Sequence, residues 1–177
     1  MNIGRVKKIL FGISGAEIAE AAVVLPVLFM MMFGIYWFGR AYNIYATINH
    51  AAREGARVAS APTCASCGNN FSTVDQIADR VAQALQASKL DPSQVTNSGA
   101  NRVACGGGTS ACSTPSGGRP NICVYFNVQL NPTAPGVPPG CGVGVSFRYP
   151  YRFYFPFTSL HNQLVTLPAD VQMTGEN

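Results

Sequence analysis

Glu20 stands at the mouth of a run, Ala21 to Gly39, that carries no formal charge over about nineteen residues. A carboxylate at the edge of such a run is costly to desolvate, and the simplest chemistry open to it is neutralisation of a buried positive charge. Six cysteines, Cys64, Cys67, Cys105, Cys112, Cys123 and Cys141, form the second chemical set, and all fall beyond the apolar run. An even set on one side of that run suits three disulfides in an oxidising compartment. The rival is zinc, because Cys64 and Cys67 have metal-ligand spacing and Cys105 with Cys112 would complete four sulfurs. A second close-spaced pair is missing and Cys123 and Cys141 would stay unexplained, so no metal is expected. A thioredoxin-type pair would open a helix within a βαβ pattern, whereas Cys64 follows Ala61-Pro62-Thr63 in a loop. Six cysteines allow 15 pairings, so the connectivity stays open.

Catalytic candidates are thin. The two histidines, His50 and His161, fall on a helix flank and in a strand connection. Beyond the N-terminal glutamates, Asp75, Asp79, Asp91, Asp170 and Glu176 make no acid pair, and no nucleophile elbow is present. No enzymatic activity and no cofactor are expected. The formal net charge of +4 is mostly Arg5, Lys7 and Lys8, leaving nine basic against eight acidic residues, so no nucleic-acid partner is indicated.

The elements that must position these residues begin with the apolar run itself. Its length is close to the roughly 20 residues with which a helix crosses a bilayer. The three cations on its short N-terminal side, against Arg40 on the other, predict a single-pass inner-membrane topology with the N-terminus cytoplasmic and the rest extracytoplasmic. Helix formers continue from Ala41 to Ser60, with Ile44, Ile48, Ala51, Ala52, Gly55 and Ala59 on one stripe. One helix over about residues 16–60, roughly 65 Å long, is expected. It divides into a transmembrane part, 16–39, and an exported part, 40–60. Pro26 would kink it or unpair one turn, which neighbouring helices in a membrane can tolerate. Small residues on the two halves suggest different contacts. Gly55, with its alanines, permits close packing of the exported domain, and Gly34 and Gly39 permit close approach of other helices.

Residues 61–177 are expected to form a disulfide-rich α+β domain. Ser72 is the expected N-cap of a second helix ending near Ser88, with Val74, Ile77, Ala78, Val81, Ala82 and Leu85 on its apolar face. Residues 97–120 read as a Gly-, Ser- and Thr-rich loop pinned by Cys105 and Cys112. Three period-two runs follow: Ile122, Val124, Phe126, Val128 and Leu130; Val143, Val145, Phe147, Tyr149, Tyr151, Phe153 and Phe155; Val165, Leu167, Ala169, Val171 and Met173. They predict an antiparallel sheet of about three strands with both helices packed on one face. Pro150 and Pro168 place an edge or a bulge in the second and third strands. In the aromatic run from Tyr149 to Phe157, half the residues are expected to face the core.

Three segments together resemble the TadE-like family, minor pilins or pseudopilins of the tight-adherence (Flp, type IVc) pilus system. They are Gly15-Ala16-Glu17-Ile18-Ala19-Glu20-Ala21-Ala22-Val23-Val24-Leu25-Pro26, Phe38-Gly39-Arg40, and Ala51-Ala52-Arg53-Glu54-Gly55-Ala56-Arg57. The resemblance covers about the first third of the chain, and Val145 to Tyr151 is similar more weakly. It implies a leader, residues 1–15, cut by a prepilin peptidase between Gly15 and Ala16, and a role for Glu20 in assembly. Gly12 with Glu17 has the same spacing. Cutting after Gly15, however, leaves Glu20 as the last charge before the uninterrupted run, whereas cutting after Gly12 buries it three residues deeper. The partners implied are other pilin and minor-pilin subunits, the prepilin peptidase, the inner-membrane assembly platform and membrane lipid, with possible incorporation into a pilus at the cell surface and a part in cell adhesion. Two other readings compete. A secretory signal cut at Ala59-Ser60-Ala61 would lie too far beyond the apolar run. A single-pass anchor carrying an unprocessed extracytoplasmic binding domain is the stronger alternative.

Overall fold

Thr73, not Ser72, opens the second helix. Its extended backbone lets its hydroxyl accept the Gln76 N–H while the Gln76 side chain accepts the Thr73 N–H, a reciprocal capping box. The computed structural model describes residues 14–61, 71–131, 140–153 and 163–174. Within them the order is helix α1 (Ser14–Ser60), helix α2 (Val74–Ala87), a 3-10 turn (Pro92–Gln94) and strands β1 (Arg102–Val103), β2 (Thr109–Ser110), β3 (Cys123–Gln129), β4 (Cys141–Phe153) and β5 (Gln163–Thr174). This is an α+β fold. The chain divides into two compact units, Met1–Tyr42 and Asn43–Asn177. In the first, the described residues are all α1, which passes Pro26 without a break in its assignment.

In the second unit the stripe foreseen along α1 is the core wall. Ile48, Ala51, Ala52, Ala56 and Ala59 are fully buried, and Ile44 packs beside them. From α2, Ile77, Ala78, Val81 and Leu85 are buried; Val74 and Ala84 pack at the margin, while Ala82 sits on the flank. The sheet contributes Ile122, Val124, Val143, Val145, Phe147, Tyr149 and Ala169. Gly55 is where α1, α2 and the sheet come closest. A Cβ added there would lie 2.6 Å from Val81 Cγ2, 3.6 Å from Ile77 and 3.7 Å from Val145. Gly55→Leu is therefore expected to overpack this junction and cost roughly 1 to 3 kcal/mol, read as a lowered unfolding midpoint of the purified chain. An unchanged midpoint would contradict the packing.

The three long strands pair antiparallel in the order β3-β4-β5. The central position of β4 has to be reconciled with Pro150. Arg148 exchanges both backbone hydrogen bonds with Thr96 on the side away from β5, so the nitrogen of Pro150, two residues on, faces that same side. It lies beyond the end of β3, whose pairing with β4 stops at Cys123 opposite Ser146. Pro168, opposite Arg148, likewise turns its nitrogen away from β4, onto the outer edge of β5. Both prolines thus stand where no ladder donor is needed.

The single apolar face expected for β3 is not observed along its whole length. Asn127 has a left-handed φ of 59°, and Phe126 with Asn127 occupies the space opposite one residue of β4. This bulge reverses the side-chain alternation. Ile122 and Val124 enter the helix-facing core, whereas Val128 joins Cys123 and Tyr125 in a second cluster with Cys112 and Leu130.

That second cluster is covered by the stretch expected to be a plain loop. Residues 97–120 include the β1–β2 ribbon, bridge to β3 through Ala104 opposite Val128 and Ser113 opposite Val124, and are joined to the sheet strands by disulfides Cys105–Cys141 and Cys112–Cys123. Cys64 and Cys67 lie outside the described residues, as do Phe155, Phe157 and His161.

Candidate assembly helix and the folded domain

The N-terminal unit presents an apolar helix without a protein cover. Val23, Met30, Ile35 and Phe38 are 71%, 74%, 72% and 67% exposed, and the segment is long and apolar enough to cross a membrane. A helix with its apolar residues exposed all round suits hydrocarbon rather than water. Gly15 and Ala16 lie in its first turn, and Glu17 and Glu20 are exposed on it. Pro26 is exposed as well. A Cβ added at Gly34 or Gly39 would meet nothing within 4 Å, so any close partner of those glycines has to come from another chain.

At the other end of the apolar run lies a group that the sequence reading left out. Tyr36 and Trp37 meet edge to face at 5.4 Å, and the Arg40 guanidinium lies 5.9 Å from the Trp37 ring centroid. Tyr and Trp with a neighbouring cation are the side chains that favour the boundary between hydrocarbon and headgroups. In the sequence Arg40 follows the adjacent Tyr36 and Trp37 by about one helical turn, and that spacing is the signal.

In the second unit the charged groups tie layers together. Arg119 donates to Asp79 at 2.8 Å and to the Ser116 hydroxyl at 2.9 Å, and lies 3.5 Å from Asp75. Asp75 accepts the Ser116 N–H at 2.9 Å and its hydroxyl at 2.7 Å, binding α2 to the 112–120 segment. The Ser116 N–H first, then its hydroxyl, hold the Asp75 carboxyl below its ordinary value against an opposing effect of desolvation, and the Arg119 charge adds a smaller lowering effect. Asp91 is lowered in the same way, chiefly by the Ser93 hydroxyl and N–H. On the other face of the sheet, Arg102 pairs with Asp170 of β5 and stacks on Tyr125 at 5.1 Å, and the Tyr125 hydroxyl donates to the Ala100 carbonyl at 2.5 Å. Burial pushes the Tyr149 phenol up, and its oxygen accepts the Asp91 N–H at 3.2 Å.

These carboxylates should make the folded domain acid-sensitive. A folded pKa below the unfolded value of about 3.8 means that the stabilisation is present above that value and is lost as pH falls through the folded pKa. Thermal unfolding followed downward from about pH 5 should steepen below about pH 4, and Asp75→Asn should flatten that loss. An identical pH profile in the variant would show that the Asp75–Ser116 bonds contribute nothing.

No group of three or more possible metal ligands is present among the described residues. His50 is an exposed residue of α1. The grooves are shallow and lined mainly by polar side chains; one, between α2 and the 3-10 turn, is bordered by Asp79, Gln83, Asp91 and Arg119.

Residues 15–57 match the family described as TadE-like protein, the same family that the sequence segments resemble. The match takes in the apolar helix, the Glu20 and Gly15 positions, and the α1 stripe as far as Arg57. No curated protein and no solved structure matches the chain.

Proposed function

We propose that this chain is a minor pilin or pseudopilin, a structural and non-catalytic subunit needed to assemble a tight-adherence pilus. In this reading a prepilin peptidase cuts between Gly15 and Ala16. The cut removes residues 1–15 with Arg5, Lys7 and Lys8, the charges that hold the N-terminus in the cytoplasm. It also creates an α-amino group on Ala16 with a reference pKa of about 7.7 to 8.0. Glu20 of a neighbouring subunit neutralises that ammonium group. In a low-dielectric bundle of helices a mis-set register leaves a buried charge unpaired, at a cost of several kcal/mol, so the pair specifies axial position. Gly34 and Gly39 supply the close helix contacts that van der Waals packing needs in lipid.

The observation that supports this reading best is the exposed apolar helix that carries Glu20 near its start and runs without interruption into the folded domain. The expected result is a mature chain lacking about fifteen residues, measured as intact mass from membranes of a strain with the peptidase and compared with a strain without it. An intact N-terminus in both strains would favour the alternative, an unprocessed membrane anchor carrying a binding domain.

A further inference from the structure

The exported unit has a definite polarity along α1. Gly55 packs at Val145, and five residues later Ser60 shares a groove with Met173 and Thr174, which pair with Val143 and Gly142. Moving toward the C-terminus of α1 therefore means moving toward the start of β4, and moving back toward Asn43 means moving toward its end. From Gly55 to Asn43 the helix rises about 18 Å, while β4 advances roughly 23 Å from Val145 to Arg152. The end of the β4–β5 pair thus lies at the same end of the domain as Asn43, the residue at which the chain enters it.

Among the described residues, that end carries a charged and apolar surface without an ion-pair partner. Arg148 and Arg152 are both exposed and sit on one face of β4, two alternations apart. Neither forms an ion pair with a carboxylate among the described residues. Leu164, opposite Arg152 on β5, is 56% exposed and its neighbour Val165 is 38% exposed. Asp91, beside Tyr149, is engaged with the Ser93 N–H and hydroxyl. Two guanidinium groups without a carboxylate partner among the described residues, with the protruding Leu164 on the same face, match a headgroup layer, with phosphates for the cations and the acyl boundary for the apolar side chain.

We propose that this end of the β4–β5 pair, through Arg148, Arg152 and Leu164, docks onto the anionic phospholipid surface of the membrane that holds the chain's own apolar helix. The inference rests on the membrane-inserted reading above, because Asn43 follows the apolar run within a few residues and the connection is covalent. Docking of this kind would hold the domain against the bilayer before assembly. Loss of the lipid contact would accompany extraction of the subunit into a fibre.

The chain has a single tryptophan, which makes a direct test possible. Full-length protein is reconstituted into vesicles of phosphatidylcholine with or without phosphatidylglycerol, using lipids brominated near the top of the acyl chain as quenchers. Native Trp37 reports on insertion. A Trp37→Phe, Leu164→Trp chain reports on docking, with closed disulfides as the check on folding. The expected result is quenching of the reporter at position 164 only when phosphatidylglycerol is present. Arg148→Gln with Arg152→Gln should lower the docked-to-undocked ratio by roughly 25-fold, from about fivefold for each cation near an anionic surface. Quenching of Trp37 without quenching at position 164 would overturn the docking and leave the membrane reading intact. Absence of quenching at Trp37 would overturn both. Shielding of position 164 that rises with protein density and ignores lipid charge would overturn the lipid as occupant in favour of a second copy of the chain.

Discussion

Glu20→Ala should give a chain that is cut normally and stays in the membrane but is absent from pili, whereas Gly15→Leu should accumulate as uncut precursor. The two outcomes separate because the two residues serve different steps. On the proposed reading, a peptidase acts on the peptide bond after Gly15, where a branched side chain would interfere and the carboxylate five residues on would not be required. Assembly, on the same reading, would then bring the new Ala16 ammonium group of one subunit to the Glu20 of another. Leaving that ammonium group without its partner in a low-dielectric bundle is penalised by several kcal/mol, enough to shift a binding equilibrium by two or more orders of magnitude. Glu20→Gln should fail as Glu20→Ala does, because the amide keeps the shape and loses the charge. Glu17 lies exposed three residues before Glu20 on the same helix, and Glu17→Ala should assemble, since cutting after Gly15 leaves Glu20 as the last charge before the apolar run. Normal piliation in a Glu20→Ala strain, measured by sheared-pilus yield, would sink the pairing.

Removing the two disulfides among the described residues should be the most damaging change to the folded domain. Cys112–Cys123 closes a loop with a sequence separation of 11 and Cys105–Cys141 one of 36. Chain-entropy arguments put the two bridges at about 3 and about 4 kcal/mol. Replacing Cys112 and Cys123 by alanine also loosens the cluster in which Cys123, Tyr125 and Val128 are buried. Replacing Cys105 and Cys141 frees the hairpin from the start of β4. Each double variant should unfold at clearly lower urea concentration than the parent, and the combined variant should lose most of its cooperative transition, because losses of this size approach the whole stability of a small domain. Stoichiometric zinc together with titratable thiols in the purified protein would show that the sulfurs serve another purpose.

The parts of this protein that its sequence determines alone are those governed by local periodicity and length. An uncharged run of about nineteen residues is long and apolar enough to cross a membrane, because hydrocarbon thickness sets that length. The small-residue stripe of α1, the apolar face of α2 and the inner faces of β4 and β5 are legible for the same kind of reason. Each repeats at 3.6 or 2 residues, and burial follows the repeat. Glu20 is legible as well, since a charge at the edge of an apolar run needs no tertiary information to be conspicuous.

What only the tertiary structure decided are relations between residues far apart in the chain. The cysteine pairing depends on the 97–120 segment folding back along β3, through Ser113 with Val124 and Ala104 with Val128. No spacing rule encodes that path among 15 possible pairings. Arg102 reaches Asp170 across 68 positions, and Arg119 reaches Asp79 across 40, because strand order and loop path bring them together. The reversal of β3 at Asn127 has the same origin. Alternation assumes a constant register, and one left-handed residue sends Val128 to the opposite face from Val124, where the folded-back loop supplies the apolar cover that makes its burial favourable.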